Sequence, residues 1–241
     1  MSIKVVLFDL DGTLLPLDQE VFVKSYFGRL AKHLAPLGYE PQSLIASIWT
    51  GTAKMVKNTG EKTNEEVFWD EFAVIHGEKA RTHMPEFERF YREEFCKVKE
   101  SCGYTPEAAK AISEIKKLGL RVALATNPIF PEIATRQRIE WAGLKPEDFE
   151  IFTTYENSRH SKPNLEYYKD VTKSLGVSPE ECIMVGNDVG EDMVARELGM
   201  KVFLIPTHII NKANEDISQY PQGSFADLVN YIKNQKTELS H

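Results

Sequence analysis

The apolar run Val5-Val6-Leu7-Phe8 ends abruptly in Asp9-Leu10-Asp11-Gly12-Thr13. A short, β-branched apolar stretch of this kind reads as a strand buried on both faces. Such a strand needs partners. None is on offer between Leu17 and Cys102, where the apolar spacing is helical throughout. The partners must come from the segment after Cys102, so the sheet is built from two separated stretches of chain. Alternation along a strand points Asp9 and Asp11 to the same side. Two acids that close repel each other and favour a cation between them. The Asp11-Gly12 pair also satisfies a plain turn, so this stretch alone leaves the two readings level.

The helical stretch divides into four runs. Val21, Phe22, Phe27, Leu30 and Leu34 mark the first, which Pro36 and Gly38 break. Leu44, Ile45, Ile48 and Trp49 face one side of the second, and Asn58-Thr59-Gly60 ends it. Glu66 to His76 is the third, closed by Gly77, and Phe87, Phe90, Tyr91 and Phe95 mark the fourth. The aromatic residues Phe68, Trp69, Phe72, Phe87, Phe90, Tyr91 and Phe95 read as the core of a small bundle rather than as a ligand cage. Lys54, Lys57 and Lys62 read as a solvated face.

After Cys102 helices and strands alternate. Strands are expected at 121–126, 151–154 (weaker), 182–185 and 202–205. Helices are expected from Thr105-Pro106 to Gly119, 131–142, 164–175, 192–198 and from Ser224 onward. Strand–helix–strand succession predicts an α/β fold with a parallel sheet covered on both faces. A helical domain is inserted after its first strand, with boundaries near Pro16 and Gly103.

Ligands of open α/β sheets bind at the carboxyl ends of the strands. There this chain places Asp9 and Asp11, then Thr126-Asn127, then Asp188 and Asp192 in Gly186-Asn187-Asp188-Val189-Gly190-Glu191-Asp192. Ser161-Lys162-Pro163 stands just before a helix. Carboxylates at one edge suit Mg²⁺, a hard cation that keeps waters and substrate oxygens in its shell. A lysine beside them suits a phosphoryl group. The set favours phosphoryl transfer with a carboxylate nucleophile.

These residues, in this order, resemble the haloacid dehalogenase superfamily. Asp9-Leu10-Asp11-Gly12-Thr13, Thr126-Asn127, Lys162-Pro163 and Gly186-Asn187-Asp188 with Asp192 match its four motifs. The helical insertion matches the branch whose cap follows the first motif. The resemblance implies a Rossmann-like core, residues 1–15 and 104–241, and a helical cap, residues 16–103. It implies a phosphatase of small phosphorylated metabolites that works through an aspartyl-phosphate. Asp9 would be the nucleophile and Asp11 the general acid and base. Thr126, Asn127 and Lys162 would bind the phosphoryl group, and Lys162 would pair with Asp9. Asp9, Asp188 and the Asp11 carbonyl would hold Mg²⁺, with Asp192 orienting Lys162 or a metal-bound water. A dehalogenase would have no need of Asp11. A phosphomutase shares the same core, a phosphonatase would need a Schiff-base lysine from the cap, and a receiver-type phospho-acceptor would be about half as long and lack the insertion.

The net charge of −7 argues against a nucleic-acid partner. No apolar run reaches the length of a membrane span. Three cysteines without a Cys-x-x-Cys pair predict neither a disulfide framework nor a zinc ribbon, and a reducing cytoplasm is the expected location. The histidines (His33, His76, His83, His160, His208, His241) lack ligand spacing, and His160, although near Lys162, is expected outside the site.

Overall fold

A computed structural model describes residues 2–237; His241 lies outside them. Four strands form one parallel sheet: β1 (Val5–Phe8), β2 (Arg121–Leu124), β3 (Cys182–Gly186) and β4 (Lys201–Leu204), in the order β2-β1-β3-β4. The first strand is therefore central, with Val5 opposite Arg121 on one side and Cys182 on the other. All four β1 side chains are fully buried, as its uninterrupted apolar run requires.

Alternation sends Val6, Phe8, Val122, Leu124, Ile183 and Val185 to one face. There they pack on α5 (Pro106–Lys117), α6 (Glu132–Trp141) and α8 (Phe225–Thr237). Val5, Leu7, Ala123, Cys182 and Met184 go to the other face, under α7 (Leu165–Leu175). Phe225, Leu228, Val229 and Ile232 carry the contact of α8, and Ser224 and Asp227 cap its start reciprocally. Cys182 sits in the core, where burial pushes its thiol up to about 12.

Two expected elements differ. The weak strand at 151–154 is a single parallel bridge, Phe152 to Leu124, beside β2. It holds the sheet edge through Leu124 N to Ile151 O at 2.9 Å and Thr153 N to Leu124 O at 3.2 Å. The expected helix at 192–198 is a 3₁₀ turn over Met193–Leu198.

The helical insertion comprises α1 (Gln19–Leu34), α2 (Pro41–Val56), α3 (Asn64–His76) and α4 (Met84–Glu93), followed by 3₁₀ turns over Phe95–Ser101. Asp18 caps α1 and a Thr63–Glu66 capping box opens α3. Phe72, Phe90 and Phe95 fill the bundle, and its apolar cluster runs without a break into the sheet face. Val21 and Trp49, at helical spacing in the first and second runs, are 53% and 50% exposed. The two passages of chain into and out of the insertion run side by side. Leu17 and Cys102 form an antiparallel bridge, and Gly103 N donates to Pro16 O at 2.6 Å. Among the described residues no helix is long and apolar enough to cross a membrane.

Candidate active site

The sheet brings the four motifs to one place because β1 lies between β2 and β3. Asp9 leaves the end of β1, its N–H bonded to Val185 O of β3 at 2.8 Å. Asn187 and Asp188 follow β3, and Thr126 and Asn127 follow β2.

Lys162 is fully buried and bridges two acids, donating from Nζ to Asp9 Oδ1 at 2.9 Å and to Asp192 Oδ1 at 2.6 Å. Burial disfavours its ammonium, but Asp192 and Asp9 outweigh burial and hold it protonated well above the ordinary lysine value. Burial raises the Asp192 carboxyl, against the pull of Lys162. Asp192 Oδ2 accepts the Asp188 N–H at 3.0 Å, so one side chain fixes both the lysine and the loop. This close approach requires Gly186: a Cβ there would stand 1.9 Å from Asp192 Oδ2. Asp188 Oδ1 accepts the N–H groups of Gly190 and Glu191 at 2.9 and 3.0 Å.

Gly12 turns the chain at φ +85°, where an added Cβ would meet Asn187 Nδ2 at 2.4 Å. The turn presents Thr13 Oγ1 to Asn187 Oδ1 at 2.9 Å and, at 3.3 Å, to Asp9 Oδ2. Asp11 is turned to a partner that sequence reasoning missed. Arg138, 1% exposed on α6, donates from Nη1 to Asp11 Oδ2. Its guanidinium lies over the Phe130 ring, 4.3 Å from the centroid, and bonds Ala134 O and Thr135 Oγ1. Burial pushes the Asp11 carboxyl up, Arg138 pulls it back, and Asp9 adds to the rise. Asp11 Oδ1 is buried without a hydrogen-bond partner among the described residues. The sequence did hold a signal for Arg138, a charged residue at helical spacing from Ala134 and Trp141 on the buried face of α6.

Asp9, Asp11, Thr126, Asn127, Asp188 and Asp192 all line one cavity of about 830 Å³ between the sheet edge and the helical insertion. Lys162 does not line it; its ammonium is held behind Asp9. The Thr126 carbonyl is tied down by Thr153 Oγ1 and Tyr167 OH at 2.6 and 2.8 Å. Asn127 Nδ2 donates to Glu191 Oε2 at 2.9 Å, and burial lifts the Glu191 carboxyl. Phe68, Trp69, Phe87 and Tyr91, expected only as bundle core, also face the cavity. His160 is turned away, its Nδ1 2.7 Å from Asp170 Oδ2. Lys54 and Lys62 pair with Glu71 and Asp70 at 3.4 and 2.7 Å on the insertion.

Among the described residues no group of three or more His, Cys, Asp or Glu side chains is arranged to hold a metal. The donors that do face the cavity are hard oxygens: the Asp9 carboxylate and the Asp188 carboxylate, beside the Asp11 backbone. Two carboxylates with room for water and substrate oxygens suit Mg²⁺, which keeps much of its own shell.

A buried lysine thus bridges two carboxylates at the carboxyl edge of a parallel sheet, under a helical insertion. The chain belongs to the haloacid dehalogenase-like hydrolase family, whose model matches residues 3–199. It is 30% identical over 135 residues to the glyceraldehyde 3-phosphate phosphatase of Methanocaldococcus jannaschii, covering 55% of this chain and 58% of that one. It is 26% identical over 205 residues to the pyrophosphatase PpaX of Bacillus cereus, covering 83% and 82%. The matched stretch spans little more than half the length of the relatives of 30% identity or more, 55% and 58%. The HAD-hydrolase YfnB of Bacillus subtilis, solved bound to magnesium, has the same fold. It superposes with a TM-score of 0.57 at 18% identity, over 97% of this chain and 100% of that one.

Proposed function

We propose that the protein is a Mg²⁺-dependent phosphatase that hydrolyses a small phosphorylated metabolite through an aspartyl-phosphate on Asp9. The observation that carries this is the Asp9–Lys162–Asp192 chain at the floor of a cavity that Asp11, Thr126 and Asp188 also line. The names of the relatives, a glyceraldehyde 3-phosphate phosphatase and a pyrophosphatase, agree with it.

Lys162 binds Asp9 Oδ1 and so aims the carboxylate, while Asp9 Oδ2 takes only the long bond from Thr13 and is the oxygen left to attack phosphorus. Attack breaks the bond from phosphorus to the leaving oxygen. Asp11 gives that oxygen a proton through Oδ1, the oxygen that the Arg138 pair leaves without a partner. It then takes a proton from the water that attacks the aspartyl-phosphate, which frees Asp9. Thr126 and Asn127 present a hydroxyl and an amide to the phosphoryl oxygens. Asp9, Asp188 and the Asp11 carbonyl would hold Mg²⁺, which would supply positive charge to the transferring phosphoryl group. Residues 16–103 form the cap that excludes bulk water. A phosphonatase's Schiff base would need a cap lysine in the cavity, and Lys54, Lys57 and Lys62 are not among its lining residues.

The test is turnover of a panel of phosphate monoesters with Mg²⁺ and with chelator. Wild type turns over only with the metal, and Asp9→Asn is inactive while remaining folded. Full activity in Asp9→Asn refutes the nucleophile; stoichiometric labelling without turnover favours a phospho-acceptor.

A further inference from the structure

The cavity is far larger than a phosphoryl group and its metal require. About 830 Å³ lies in the upper part of the range that encloses drug-sized ligands, roughly 300–1,000 Å³. Away from the carboxylates its wall is apolar and aromatic, built by Phe22, Phe27, Ile48, Trp49, Phe68 and Phe87 of the insertion. That wall starts beside the reacting groups. Arg138, bonded to Asp11, lies over Phe130, whose ring centroid is 6.2 Å from that of Phe22 and 5.5 Å from that of Tyr26. A leaving group protonated by Asp11 therefore extends along aromatic rings.

The charges of the lining reject a second anion. Arg136 is tied to Glu132 at 2.6 Å, and Arg92 faces Glu88 at 3.7 Å. Lys212, exposed, stands two residues beyond Ile210, whose backbone bridges to Asp188. Glu20, Glu65 and Glu156 line the cavity and make no ion pair among the described residues. Burial and the neighbouring Glu156 lift the Glu65 carboxyl.

We propose that this chamber takes the alcohol part of the substrate, and that the substrate is the phosphate monoester of a bulky, largely apolar alcohol with an aromatic or fused-ring skeleton and no second anionic group. Water cleaves its P–O bond, giving that alcohol and inorganic phosphate. A three-carbon phosphate or pyrophosphate would fill only the carboxylate end and leave the aromatic wall wet. The inference rests on the phosphatase reading of the same site.

The test compares ethyl, 2-phenylethyl and 2-(1-naphthyl)ethyl phosphate, whose alcohols have similar acidity, so that chemistry is held constant and the chamber alone is varied. An aromatic ring buries about 150 Å² at least, and with half of that kept wet the expected gain in kcat/KM from the ethyl to the naphthylethyl ester is about 20-fold. Equal kcat/KM across the series, or a preference for glycerol 3-phosphate or pyrophosphate, overturns the inference and leaves the phosphatase reading standing. No turnover of any ester overturns the phosphatase reading itself. The chamber is then decided by calorimetry with 2-(1-naphthyl)ethanol. Binding that weakens several-fold in Trp49→Ala supports it; no binding overturns it.

Discussion

Arg138→Met isolates the electrostatic role of a buried cation. Methionine keeps most of the side-chain length and its contact with Phe130 but leaves Asp11 Oδ2 without its partner, beside an Oδ1 that already has none. Removing one member of a buried pair costs about 3–5 kcal/mol. The Asp11 side chain is 27% exposed, so water offsets part of the loss and about 3 kcal/mol is expected at neutral pH. The effect has a sign in pH. Burial already raises Asp11, and Arg138 opposes that rise, so the variant raises it further. A carboxyl whose folded pKa is raised contributes stability that is full below its unfolded value and is lost as pH climbs through the folded one. The deficit of the variant relative to wild type is therefore larger at pH 8 than at pH 5, where more of Asp11 is protonated and needs no counter-charge. Urea unfolding of both proteins at the two pH values measures it, with the midpoint falling by roughly 1 M at pH 8. Adding Asp11→Asn to the variant recovers most of the loss, because an amide tolerates burial without a cation. A deficit below about 1 kcal/mol at pH 8, or one that is the same at both pH values, refutes the reasoning.

Three further changes probe the rest of the site. Lys162→Met strands Asp9 and Asp192 in the interior and is expected to cost about 3–5 kcal/mol in urea unfolding. The same variant should lose at least about 100-fold in phosphatase kcat, and near-normal turnover would contradict the role given to Lys162. Gly186→Ala forces a Cβ into Asp192, with an expected loss of roughly 3 kcal/mol by overpacking, and a wild-type Tm would show that Asp192 is not held where it is described. Asn64→Ala removes an amide that bonds Pro128 O and Ser161 Oγ, both at 3.0 Å, and accepts from Asn58 at 2.9 Å. It should cost roughly 2–4 kcal/mol and speed protease cleavage near residues 58–64; unchanged cleavage would place the anchor of the insertion elsewhere.

The strands and helices of the core were legible because each is short, apolar and punctuated by a glycine or a cap. Residues 151–154 were less so. Their pairing with β2 rests on a few edge hydrogen bonds, and a single bridge leaves little pattern in a sequence. Val21 and Trp49 stand half exposed because helical spacing marks a face without saying what covers it. Half-exposed Trp49 sits on a cavity wall rather than in the bundle core.

The gathering of Asp9, Asp11, Thr126, Asp188 and Asp192 at one edge, with Lys162 against Asp9, followed from the sequence, since strand ends in a parallel sheet share one edge and each motif stands at such an end or in a nearby loop. Their pairing did not. That Lys162 takes Asp192 as well as Asp9 depends on how closely Gly186 lets the loop approach. That Asp11 meets Arg138 depends on which face of α6 packs against the sheet. The size and apolar lining of the chamber also came only from tertiary structure, because its walls are drawn from helices far apart in the chain. Sequence order determines which groups reach the edge of the sheet, while packing between the insertion and the core decides what each group touches and how much space they enclose.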